Sequence, residues 1–197
     1  MQKKFIKAIN WFRAIAIISV VFTHVEKNTL PSGIVGETIY SILFNGTFYF
    51  IFISGYLFYH LKDRFEYKKY LKTKIRNVLS PYIIQYVLVL LLITLFNLYV
   101  FSSNWVVNWT DLTSRNGFIW HIIVGGAING PLWFIPMITI FFIVSPLIIR
   151  LGKSRYFNIF VVLSLFVSFV TFRPNEYIYP LYMFIHFFGI YLLGIWA

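Results

Sequence analysis

The sequence predicts an all-α, polytopic transmembrane helical bundle of about six spans, with its N-terminus in the cytoplasm. Composition is the first reason. Of 197 residues, 59% are hydrophobic and only 12% charged, about half the charged share of a soluble domain. One soluble core of this size does not bury so much apolar side chain. Pattern is the second. The apolar residues come in continuous runs near the ~20 residues that a helix needs to cross ~30 Å of hydrocarbon. They lack the strict alternation of a barrel strand. The third is the placing of lysine and arginine, which cluster in alternate loops.

Six runs qualify: Ala8 to Val25, Ile39 to Tyr59, Val78 to Phe101, Pro131 to Ile149, Tyr156 to Phe172 and Ile178 to Ala197. Gly117 to Ile128 is too short to span and reads as interfacial or re-entrant. Lys3, Lys4 and Lys7 precede the first span. Lys62, Arg64, Lys68, Lys69, Lys72, Lys74 and Arg76 follow the second, and Arg150, Lys153 and Arg155 follow the fourth. The opposite loops hold only Lys27, Arg115 and Arg173, which sets the orientation. The first run reads as a retained helix rather than a cleaved leader. Trp11 and Arg13 interrupt its beginning, and Thr23-His24-Val25-Glu26 is no small-residue cleavage site.

The chain reads as a single membrane domain over residues 1–197, without repeats, low-complexity tracts or a soluble linker. It stops within an apolar run at Ile195-Trp196-Ala197, as expected of the N-terminal part of a longer domain. The absence of cysteine removes disulfides, thiolate metal sites and cysteine nucleophiles, and no metal site is expected. The net charge of +11 fits loops facing an anionic leaflet better than nucleic acid. The sequons at Asn45-Gly46-Thr47 and Asn108-Trp109-Thr110 carry little weight, the first lying within a span.

Ionisable residues inside spans are costly and functional by default. Arg13 and His24 lie in the first span and His186 in the sixth; no Asp or Glu lies in any. Eleven helical residues make about 1100°, three turns and ~20°, so Arg13 and His24 share a face, roughly 16 Å apart along the axis. The pair predicts one hydrophilic passage with Arg13 toward the cytoplasm. The alternatives are an arginine snorkelling to headgroups and a neutral interfacial histidine. With no carboxylate in a span, an anionic ligand is a fitting partner for Arg13. Arg76, beside Lys72 and Lys74 at the mouth of the third span, is the candidate phosphate contact, against positive-inside topology alone. Ser54, in Ser54-Gly55-Tyr56, either lines the passage or belongs to small-residue packing. Trp133 is either a substrate platform or an ordinary interfacial tryptophan. His186 reads as packing or cavity wall. Pro81 suits a first helical turn, whereas Pro136 and Pro146 are candidate breaks in the fourth span.

In order along the chain, five segments resemble the acyltransferase family 3 of integral membrane glycan acyltransferases. They are Arg13 to His24 (Arg-x10-His), Phe50-Ile-Phe-Ile-Ser54-Gly55-Tyr56, the basic run Lys72 to Tyr82 ending in Pro-Tyr, Leu132-Trp133-Phe134-Ile135-Pro136, and Phe187 to Gly194. Lys74 stands where the family usually has an arginine, and Tyr56 where it has phenylalanine. The resemblance implies a multi-pass inner (plasma) membrane enzyme with about ten spans in a whole member and no bound cofactor. It would transfer an acyl group, often acetyl, from cytoplasmic acyl-CoA to a hydroxyl of a polysaccharide or lipid-linked sugar. Arg13, Lys74 and Arg76 would hold CoA phosphates, and His24, with an ordinary pKa near ~6.5, would act as general base. A polysaccharide exporter or other polytopic transporter is the alternative from another class. It draws on the two prolines of the fourth span.

Overall fold

The computed structural model describes residues 2–22, 33–36, 38, 46–96, 122–123, 130–171 and 180–197. Every regular element among these residues is helical. Helix α1 is Gln2–Phe22, α2 is Gly46–His60 and α3 is Tyr67–Lys74. A π-helical turn, Ile75–Leu79, joins α3 to α4, Ser80–Phe96. A 3₁₀ turn, Gly130–Trp133, leads into α5, Phe134–Gly152. Helix α6 is Phe157–Val170 and α7 is Pro180–Trp196. The helices α1, α2, α4, α5, α6 and α7 overlap the six predicted runs, α1 starting earlier, at Gln2, and α5 ending later, at Gly152. The stretch Gly117 to Ile128 lies outside the described residues except for 122–123.

Among the described residues, α5 alone is long and apolar enough to cross a membrane; Ile9–Val21, α6 and α7 are shorter apolar helices. Their outer faces are apolar as well. Phe169 is 85% exposed, and Ile159, Val162, Leu163 and Phe166 of the same helix are exposed as well.

Two compact units divide the chain: 1–63, 155–166 and 187–197 in one, 64–154 and 167–186 in the other. In the first unit α1 packs on α2. Phe12 sets its ring 5.9 Å from those of both Tyr49 and Phe52. One helical turn on, Ala16 is fully buried and Ser19 nearly so. A side chain at Gly46 would stand 2.6 Å from Val20 Cγ2, so the start of α2 requires a hydrogen there. The same unit brings α2 against α7 through glycine on both sides. A methyl on Gly55 would overlap the Tyr191 carbonyl, and one on Gly194 would overlap the Phe52 carbonyl. Small residues let backbones approach this closely. Phe48 meets Phe187 edge to face at 5.0 Å beside that seam.

In the second unit the core is built from Met137, Ile138, Phe141 and Ile148 of α5, with Tyr82, Tyr86 and Met183. The Phe141 and Phe184 rings stand 4.6 Å apart. Tyr82, of the Pro-Tyr pair, is buried, and its hydroxyl donates to the Ile122 carbonyl. A hydroxyl removed from water requires such an acceptor.

The three prolines behave differently from expectation. Pro81 does not open a new helix, because the backbone is helical from Tyr67 through Phe96. The π turn ends at Leu79, and the Ser80 N–H and hydroxyl, next before the proline, both donate to the Ile75 carbonyl. Wider turns of this kind absorb the crowding and lost N–H of a proline. Pro136 and Pro146 do not interrupt α5. Pro136 occupies the first turn, where the N–H has no helical acceptor. Pro146 leaves the Phe142 carbonyl without its usual donor, and the buried Ser145 hydroxyl takes the place at 2.7 Å.

Candidate functional site

Helix α3 presents two faces. Tyr67, Tyr70 and Lys74 follow an i, i+3, i+7 spacing, which puts them on one side, and all three are half-buried. Lys68, Lys69, Lys72 and Thr73 are exposed on the other. The inner face lies on α5. Tyr70 meets Phe142 edge to face at 6.0 Å, and the Tyr67 hydroxyl donates to the Ile143 carbonyl at 3.1 Å. The Lys74 ammonium stands 4.9 Å from the Phe142 ring centre and 5.3 Å from that of Tyr70, within the reach of a cation–π attraction. Burial lowers the Lys74 pKa below its ordinary value and raises the Tyr70 phenol above its own. Both shifts follow from desolvation, which disfavours the charged form.

Two residues on, Arg76 is exposed. The basic pair that the sequence grouped is thereby divided: Lys74 turns inward over two rings, and Arg76 faces out from the π turn. Lys72 is exposed four residues before it. A helical side chain finds its neighbour three or four positions away, not two.

In the first unit, Arg13 is exposed on α1, next in sequence to Phe12, which grips α2. The described part of α1 ends at Phe22, so His24 lies outside the described residues, as does His121. Ser54 is half-buried on α2, adjoining the Gly55 that touches α7. His60 ends α2, exposed, with its ring near parallel to that of Tyr56 at 6.2 Å. Arg13 and Ser54 thus belong to one unit, and Lys74, Arg76 and Trp133 to the other.

Trp133 is 7% exposed in the 3₁₀ turn before α5, its ring edge-on to Phe134. It is a packed side chain rather than one at an open surface. His186 is buried, with Nδ1 2.8 Å from the Thr171 carbonyl. A carbonyl only accepts, so Nδ1 carries the proton in that bond. The contact ties α7 to the residue after α6, which fits the packing reading. Among the described residues no group of three or more His, Asp or Glu gathers as metal ligands would.

Sequence reasoning did not single out Tyr67, Tyr70 or Ser145, each of which makes a contact at the turn of α5 before Pro146. The spacing of the two tyrosines and Lys74 was a signal for the inner face. The Ser-Pro pair inside an apolar run was a signal for a repaired break.

Two of the family-like segments meet in this structure, Ser54-Gly55-Tyr56 against Phe187 to Gly194, at the glycine seam. Comparison with protein families then gives a match to the acyltransferase domain of family 3 over residues 6–197. The chain belongs to the acyltransferase 3 family. Membership assigns it in general terms to the membrane acyltransferases. Neither the curated proteins nor the solved structures give a match to it.

Proposed function

We propose that this family member is a multi-pass O-acyltransferase of the inner (plasma) membrane, with six spans in this chain and a cytoplasmic N-terminus. It moves an acyl group, most simply acetyl, from cytoplasmic acyl-CoA to a hydroxyl of a cell-surface polysaccharide or lipid-linked sugar. The family match over residues 6–197 carries the reading. The apolar helices with exposed apolar faces, and the basic exposed side of α3, support it.

In this reading His24 is the general base. It takes the proton of the acceptor hydroxyl as that oxygen attacks the thioester carbonyl. The tetrahedral intermediate collapses, the C–S bond breaks, and the proton passes to the departing CoA thiolate. Arg13 and Arg76 hold anionic groups of the donor, Arg76 from the exposed side of the π turn. Lys74 adds positive potential from behind it. Ser54 lines the acyl path and Trp133 shapes the wall on the acceptor side. No cofactor is required, since the donor brings the activated acyl group. The exporter alternative leaned on breaks at Pro136 and Pro146, and α5 runs through both.

The test uses membranes carrying the protein, acyl-CoA labelled in its acyl group, and glycan acceptor. Label is expected in the glycan with the native protein. None is expected with His24→Ala at normal membrane abundance, and full activity in that variant removes the base. Arg13→Ala is expected to weaken use of acyl-CoA; unchanged KM and kcat would make Arg13 a headgroup anchor. Sugar crossing the membrane without label would make the protein an exporter.

A further inference from the structure

The direction in which Lys74 and Arg76 point depends on the rotation of α3 about its own axis. Helix α3 continues through the π turn into α4, which holds its C-terminal end, and its contacts with α5 hold the Tyr67 end. Those contacts converge on one place, the turn of α5 that precedes Pro146. Pro146 supplies no N–H to the Phe142 carbonyl one turn back. Two carbonyls of that turn receive side-chain donors. The Ser145 hydroxyl serves Phe142 within α5. The Tyr67 hydroxyl, 76 residues away in the chain, serves Ile143. One turn along α3 from Tyr67, Tyr70 packs its ring on Phe142, and Lys74 lies over the same ring.

We infer that Tyr67 is a positioning residue for donor binding. Its hydroxyl, latched to the Ile143 carbonyl, holds the free end of α3 against α5, so that Lys74 stays inward and the Lys72–Arg76 edge meets the phosphates of acyl-CoA. The inference rests on the acyl-CoA reading above and adds to it a part of the machinery 76 residues removed in sequence from its anchor. Tyr67 touches no donor atom itself. It acts through Lys72 and Arg76, so its loss should be felt by the phosphate-bearing end of the donor and not by the thioester arm.

Equilibrium binding of CoA and of pantetheine, which lacks the phosphates, to the purified full-length protein tests this. The native protein is expected to prefer CoA. Tyr67→Phe, which deletes only the hydroxyl, is expected to lower CoA affinity about three- to ten-fold, the loss of one hydrogen bond, and to leave pantetheine binding unchanged. Pro146→Ala returns an N–H to the Phe142 carbonyl and not to that of Ile143, so it serves as the control and is expected to leave the CoA-to-pantetheine ratio at the native value. An unchanged CoA-to-pantetheine ratio in Tyr67→Phe overturns the latch while leaving the acyl-CoA reading intact. A parallel fall for both ligands makes Tyr67 merely structural and also overturns it. A native protein that binds the two ligands alike overturns the phosphate grip, and the latch with it.

Discussion

Gly55→Ala is expected to be among the most damaging small substitutions in this chain. Its methyl would overlap a backbone atom, the Tyr191 carbonyl oxygen, which cannot swing aside as the end of a side chain can. Helices α2 and α7 would have to part by roughly 1 Å in an interior packed without slack. Overpacking of this kind costs about 1–3 kcal/mol. Parting the helices also loosens the ring pairs that flank the seam, Phe48 with Phe187 at 5.0 Å and Phe58 with Tyr191 at 6.2 Å. Each such pair contributes about 0.5–1.5 kcal/mol beyond its buried area. The expected total is about 2–4 kcal/mol, a fall in Tm of about 5–15 °C for a chain of this size. Thermal unfolding of the purified protein in detergent measures it, with Ser54→Ala as the neighbouring control of small effect. Gly194→Ala should act alike, because its methyl meets the Phe52 carbonyl across the same seam. The double variant should cost less than the sum, since a seam already opened has room for the second methyl. A Gly55→Ala protein that unfolds within a degree of the native one would refute the close approach of α2 and α7.

Ser145→Ala should lower stability by about 1–2 kcal/mol, because it strips a buried carbonyl of its donor at the Pro146 break. Adding Pro146→Ala should restore most of that loss, as the new N–H serves Phe142; a double variant as unstable as the single one would show that the hydroxyl does not stand in for the backbone donor. Lys74 has a folded-state pKa below its ordinary 10.5, so the unfolded chain holds more protons in the interval between the two values, and the Lys74 contribution to stability rises with pH across it. Native protein should therefore gain on Lys74→Met as pH climbs toward 10.5, read as the difference in Tm between them; a flat difference would place the ammonium in water.

The seam and the α3 latch are legible in the sequence to different degrees. Glycines at 55 and 194 stand out inside apolar runs, and glycine there suggests close packing. That they meet each other's helices is set by the pairing of α2 with α7, more than a hundred residues apart by their numbers. The basic run after α2 reads at once as a charged surface. Which of its cations turns inward is signalled only by the spacing of Lys74 from Tyr67 and Tyr70, and what that face meets is decided by α5. The sequence also reads Pro136 and Pro146 as breaks, since the lost N–H is visible in the letters; the Ser145-Pro146 pair hints at a substitute donor, and only the structure shows the hydroxyl on the Phe142 carbonyl.

The helical class, the apolar runs and the family were settled by the letters alone, for hydrophobicity, charge placement and motif order are properties of the chain read in one dimension. Tertiary structure decided that Lys74 sits over Phe142 and Tyr70, that Trp133 and His186 are packed inside, and that Tyr67 reaches the Ile143 carbonyl. Those outcomes depend on which helix faces touch, and contact between distant segments is set by the packing of all of them together rather than by any one segment's own residues.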